Sequence, residues 1–108
     1  MILNLKLRYH ADKPMKLISN KALREFSELH ADAAQPLQDF RRLIEAGTFV
    51  NFAQLRATFA KVDMVGERYL FKIGGNKYRL VAAIAFAPRL VWVKAVLTHG
   101  EYDKGAWK

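Results

Sequence analysis

Hydrophobic positions keep a helical spacing through the first half of this chain and alternate through the second. A short run opens it, with Leu3, Leu5, Leu7 and Tyr9 alternating against Asn4, Lys6 and Arg8, which predicts a strand. Pro14 ends that run, since proline cannot donate to a ladder. Met15–Ile18 is a second short apolar piece leading into a helix that Ser19 or Asn20 can cap. Ala22, Leu23, Phe26 and Leu29 form its stripe, to about His30. Asp32 followed by Gln35 reads as a capping box for a second helix, with Pro36 in its first turn. Leu37, Phe40, Leu43 and Ile44 are its apolar face, and Gly47 is its expected left-handed stop. Asn51 and Gln54 repeat the capping signal for a short third helix, NFAQLRATF.

From Arg68 the period is two. Tyr69, Phe71 and Ile73 lead to a Gly74-Gly75-Asn76 turn. The next strand places Tyr78, Leu80, Ala82, Ile84 and Phe86 on one face, with Lys77, Arg79, Val81, Ala83 and Ala85 on the other. Pro88 and Arg89 make a turn, LVWVKAVLT is a third strand, and the polar HGEYDKGAWK has room for one helical turn. The order predicts an α+β domain, with two to three helices packed on one face of a mostly antiparallel twisted sheet. Residues 15–108 are read as one domain and residues 1–14 as an extension able to supply an extra strand.

Composition narrows the function. There is no cysteine among the 108 residues, which removes disulfides, thiol nucleophiles and cysteine-bound zinc. No apolar run reaches the roughly 18 residues of a membrane span, so a cytoplasmic protein without a membrane partner is expected. The net charge of +8 is uneven. Residues 15–46 hold five charges of each sign, whereas residues 47–108 hold ten basic and four acidic residues. Such a surface suits a polyanion, nucleic acid first, although solubility alone also favours net charge.

Arg79 carries the chemical question. A guanidinium in a hairpin strand must reach solvent, pair with a carboxylate such as Glu101 or Asp103, or receive an anion. Lys72, Lys77 and Lys94 give that part of the sheet a cationic excess, which favours a phosphate. His99 closes the last strand with a side chain able to exchange protons near neutrality. If Arg79 and His99 share one open edge, the pair suits RNA cleavage by the 2′-hydroxyl, needing no metal or other cofactor. Tyr102 and Trp107 are able to stack on bases or simply to close the core. His99, Glu101 and Asp103 lack the second histidine of a zincin helix, and Gly74-Gly75 lacks the Lys-Ser/Thr of a phosphate loop.

The segments KLISNKALREF, NFAQLRATF, VGERYLFKIGGNKYRLV and THGEYDK together resemble the HigB-type toxins of the RelE superfamily, from about Met15 to Lys108. The resemblance implies a small toxin of a type II toxin–antitoxin system. It implies an endoribonuclease that cuts mRNA on the ribosome without metal, neutralised by a HigA-type helix-turn-helix antitoxin. By the same resemblance Arg79 contacts the scissile phosphate, and Lys72, His99 and Tyr102 are its catalytic companions. Asn76, Lys77, Lys94 and Lys104 are expected to contact RNA. Members of that family usually begin near MKLISNKAL, so the resemblance gives residues 1–14 no role. Two other readings stay open: an RNA-binding module that does not cut, and a regulatory partner of a helix-turn-helix protein.

Overall fold

A computed structural model describes residues 14–105 and residue 107. The strand expected within residues 1–13 lies outside the described residues. Elements follow in the order β1 (Lys16–Ile18), α1 (Asn20–Leu29), a 3-10 turn (Ala31–Ala33), α2 (Ala34–Ala46), α3 (Phe52–Thr58), β2 (Asp63–Val65), β3 (Arg68–Ile73), β4 (Tyr78–Ala85), β5 (Leu90–Thr98) and α4 (His99–Lys104). Five strands form one sheet in the order β1-β5-β4-β3-β2. β1 runs parallel to β5 and the other pairings are antiparallel. This is the expected α+β architecture, and no helix among the described residues is long and apolar enough to cross a membrane.

The alternation in β3 and β4 sets the core. Tyr69, Phe71, Ile73, Tyr78, Leu80 and Ala82 turn to the helix layer, where they meet Leu23, Phe26, Leu37, Phe40 and Ile44. Phe71 stands edge-on to both Phe40 and Phe59, at 4.9 and 5.1 Å between centroids. Leu29 and Leu43, expected in the helical stripes, are 80% and 43% exposed. At 3.6 residues per turn both sit roughly a quarter-turn off the centre of their helix's buried face.

Three capping expectations come out differently. Asn51 caps α3 as read, accepting from the Gln54 backbone N–H at 2.9 Å. Asp32 does not cap α2. It sits in the 3-10 turn and bonds instead to Tyr78 and Lys77. Ser19 occupies the N-cap position of α1 in a left-handed backbone without a side-chain cap bond. Gly47 is extended (φ −84°, ψ 151°) and not left-handed. Glycine is needed there for space, because a Cβ would stand 2.2 Å from Phe49 Cε2.

β2 was not legible, because all three of its residues are exposed and no period marks them. In the β3–β4 turn, Gly74 and Gly75 both take positive φ (63° and 69°), which side chains resist and glycine does not. Lys77 belongs to this turn and reaches Asp32, so it leaves the sheet face on which alternation had placed it with Lys72 and Arg79. In β5, Val81 is opposite Ala95 while Ala82 is opposite Val93, which leaves Lys94 as the extra residue of a bulge.

Candidate active site

Because Tyr78, Leu80 and Ala82 enter the core, the intervening Arg79 projects from the opposite face of β4. Register places Lys72 of β3 and Leu97 of β5 on either side of it. Lys72 is exposed, whereas Arg79 is only 6% exposed.

The partners of that buried guanidinium are all uncharged. Nη1 donates to the carbonyls of Asn76 and Tyr78, both at 3.1 Å, and Nη2 donates to Asn76 Oδ1 at 2.6 Å. Three of the five guanidinium N–H groups are thereby used. The Nε–H and one Nη2–H, neighbours along a single edge, have no hydrogen-bond partner among the described residues. Every fully buried side-chain nitrogen or oxygen among those residues has a partner, so Nε keeps contact with solvent.

The two carboxylates able to neutralise Arg79 are committed elsewhere. Glu101 closes a capping box with Thr98: the Thr98 N–H donates to Glu101 Oε1 (2.9 Å), and the Glu101 N–H to Thr98 Oγ1 (3.2 Å). These bonds, the backbone one foremost, hold the Glu101 carboxyl below its ordinary range, helped by nearby His30 and Lys104. Asp103 Oδ2 lies 3.1 Å from Nδ1 of His99, one helical turn away. That contact fixes the imidazole ring, and no hydrogen bond occupies its Nε2 among the described residues.

Tyr102 joins these groups. Its ring centroid is 5.3 Å from the Arg79 guanidinium carbon and 6.4 Å from the His99 ring. Trp107 stacks on Tyr102 at 5.1 Å with ring planes 10° apart, and its Nε1–H donates to the Tyr102 carbonyl at 2.8 Å. The capping box starts α4 directly after β5, which is how Tyr102 comes to lie against Arg79.

Of the residues singled out in the sequence, the structure gathers Arg79, Tyr102, His99, Lys72 and Asn76. Lys77 is turned away, its Nζ 2.9 Å from Asp32 Oδ2. Lys94 is exposed at the bulge, three residues along β5 from Leu97, and Lys104 is exposed at the end of α4. The sequence reading did not foresee the hold of Asn76 on Arg79 or the His99–Asp103 pair. The i,i+4 spacing of the pair and the Thr-x-x-Glu signature at Thr98–Glu101 were available to find the pair and the cap. Nothing in the sequence points to the Asn76 contacts.

A second polar cluster lies beneath the same turn, on the helix side. Asp32 accepts from the Tyr78 hydroxyl at 2.5 Å and from Lys77. The Tyr78 bond, then the Lys77 bond, lowers the Asp32 carboxyl, and Asp32 in turn raises both partners.

Known proteins share much of this sequence. Residues 33–105 match the family model described as HigB_toxin, the RelE-like toxic component of a toxin–antitoxin system. The chain is 33% identical over 92 residues to the mRNA interferase toxin HigB of Escherichia coli K12, covering 82% of this chain and 88% of that protein. The mRNA interferase HigB of Shigella flexneri gives the same identity and coverage. That of Escherichia coli O6:H1 is 30% identical over 93 residues, covering 83% and 90%. A family match over residues 33–105, with relatives 30–33% identical across most of both chains, has one meaning: the chain belongs to the HigB family of RelE-like toxins.

Proposed function

We propose that this toxin is an mRNA interferase, an endoribonuclease that cleaves RNA by attack of a 2′-hydroxyl on the adjacent phosphorus. The observation that carries the proposal is Arg79: a buried guanidinium held only by neutral acceptors, with one donor edge open and with Tyr102, which also meets the His99 ring, against it. Buried charges are ordinarily paired. Leaving this one unneutralised makes sense if its counter-charge arrives with the substrate.

In the reaction, the 2′-oxygen forms a bond to phosphorus while the bond to the 5′-oxygen breaks. The 2′-proton leaves to a base, the 5′-oxygen takes a proton from an acid, and a 2′,3′-cyclic phosphate remains. The Nε–Nη2 edge of Arg79 faces the extra negative charge of the phosphorane, where a preorganised donor is worth about 3–4 kcal/mol. His99, fixed through Nδ1 by Asp103, moves a proton at Nε2, a contribution of about 10²–10⁴-fold. Lys72, one strand over, adds charge at the phosphate. Tyr102 closes over the guanidinium, and its ring gives way when RNA enters. Lys94 and Lys104 line the approach of the chain, and Lys77, paired with Asp32, is the weakest of the expected RNA contacts. The reaction requires no metal, occurs on translated mRNA at the ribosome in the cytoplasm, and is silenced by a helix-turn-helix antitoxin of the HigA type.

Induction of the parent and of Arg79→Ala, with transcript 5′ ends mapped in each, tests the proposal. New ends within codons are expected for the parent alone, and toxin dialysed against a chelator before it is added to a cell-free translation reaction should still produce them. An Arg79→Ala chain as toxic as the parent at equal soluble expression would refute it. Growth arrest without new ends would mark an RNA binder and not a nuclease.

A further inference from the structure

Asn76 is exposed at the tip of the β3–β4 turn, yet both of its oxygens are turned toward Arg79. Its backbone carbonyl takes Nη1 and its side-chain Oδ1 takes Nη2, so one residue grips the far end of the guanidinium with two acceptors. Arginine carries only donors, so the amide oxygen and not the amide nitrogen must face it. The grip has two results. It fixes the plane of the group, and by occupying the end it leaves the Nε–Nη2 side edge as the part available to an incoming oxygen pair. Planar, two-point contact of this kind is what distinguishes arginine at a phosphate.

The neutrality of the grip matters as much as its geometry. An aspartate has nearly the same shape as asparagine and would hold the guanidinium at least as firmly, because charge-assisted bonds are stronger than neutral ones. It would also supply the counter-charge that the phosphate is there to supply. We infer that Asn76 is a positioning residue: it orients Arg79 toward the scissile phosphate without neutralising it, and the site requires an uncharged acceptor at this position. The inference rests on the reading of Arg79 as a phosphate ligand and assigns Asn76 a role other than direct contact with RNA.

The test uses the whole chain and three variants, Asn76→Asp, Asn76→Ala and Arg79→Ala. Thermal midpoints are measured, together with single-turnover cleavage in a translating extract and salt-dependent binding of a short single-stranded RNA. Asn76→Asp should melt at or above the parent's temperature and yet lose about 10²–10³-fold in rate at saturating toxin, the usual effect of removing one charge-stabilising donor. Its plot of log K against log salt should flatten by about 0.7, the share of one phosphate contact. Asn76→Ala, which removes the Oδ1 hold on Nη2 without neutralising the guanidinium, should keep the parent's salt slope and lose rate. Asn76→Asp cleaving like the parent while Arg79→Ala is inactive would overturn the role of Asn76 and leave the reading of Arg79 standing. A drop in the melting temperature of Asn76→Asp would also overturn it, since a carboxylate placed against a guanidinium should not loosen the turn. Full activity in Arg79→Ala would remove the underlying reading itself.

Discussion

Replacing Arg79 by methionine separates a charge kept for substrate from a charge kept for the fold. The side chain follows the same path past Tyr102, so its stem remains packed. Removed are three hydrogen bonds from a charged donor, each worth about 1.5–3 kcal/mol. The contact with the Tyr102 ring, about 1–2 kcal/mol, is also lost. Against these stands the cost of keeping a guanidinium in a site only 6% exposed, an effective several kcal/mol. The methionine sulfur recovers about 0.3–1.5 kcal/mol on the aromatic ring. Asn76 is exposed, so its two oxygens find water, and only the Tyr78 carbonyl is left in buried surroundings. The low end of the losses meets the gains, and buried ionic groups that give way to apolar ones of similar volume commonly come out near neutral, so a net change within about 2 kcal/mol is expected. Differential scanning calorimetry should therefore find the melting temperature within roughly 16 °C of the parent, since 1 kcal/mol moves a domain of this size by about 4–8 °C. Toxicity should vanish. A melting temperature lower by about 20 °C or more would identify the guanidinium as a structural pillar and refute the reasoning.

Other outcomes follow from the same geometry. His99→Ala should lower single-turnover cleavage by about 10²–10⁴-fold. Asp103→Asn, which only releases the imidazole, should cost less and alter the pH–rate profile. The Asp32 and Glu101 carboxyls lie below their ordinary range, so the stability they provide is present at neutral pH. It is lost as pH falls beneath about 4, through their lowered values. Asp32→Asn should therefore melt lower at pH 7 and show a shallower loss toward acid, measured as melting temperature against pH. Lys77 and Tyr78 titrate above their ordinary values, so their bonds to Asp32 hold until pH rises through those raised values. Gly47→Ala should destabilise by about 1–3 kcal/mol in chemical unfolding, as overpacking does, because the new Cβ collides with buried Phe49. A neutral result would show that Phe49 can swing aside.

What could be read in the chain and what could not divide along a physical line. The alternation from Tyr69 to Ala82 marks the side of the sheet that meets the helices, so strands, core face and the projection of Arg79 from the opposite face were all legible. Arg79, His99 and Tyr102 stood out by residue type and position and the resemblance gave them roles, but spacing alone could not show which neighbours each would meet. Asp32 illustrates the limit: as a local pattern it is a helix cap, yet Tyr78, 46 residues on, competes for the same oxygens and takes them. Asn76 illustrates it again, since its turn position suggests a surface contact and its acceptors turn inward. β2 escaped because an exposed edge strand has no apolar face to display. Leu29 and Leu43 were counted as core because a three-residue step still looks periodic when the helix has already rotated past its neighbour.

The parallel pairing of Lys16–Ile18 with Leu90–Trp92 has a bearing on how such a toxin is made. An early strand of the nascent polypeptide must wait for β5 before it has any neighbour, and Arg79 must wait for α4 before Tyr102 closes over it. Neither can happen while those stretches are still inside the exit tunnel. The strand that emerges first is thus the last to find its place in the sheet, and the surroundings of Arg79 are completed only after every strand is out.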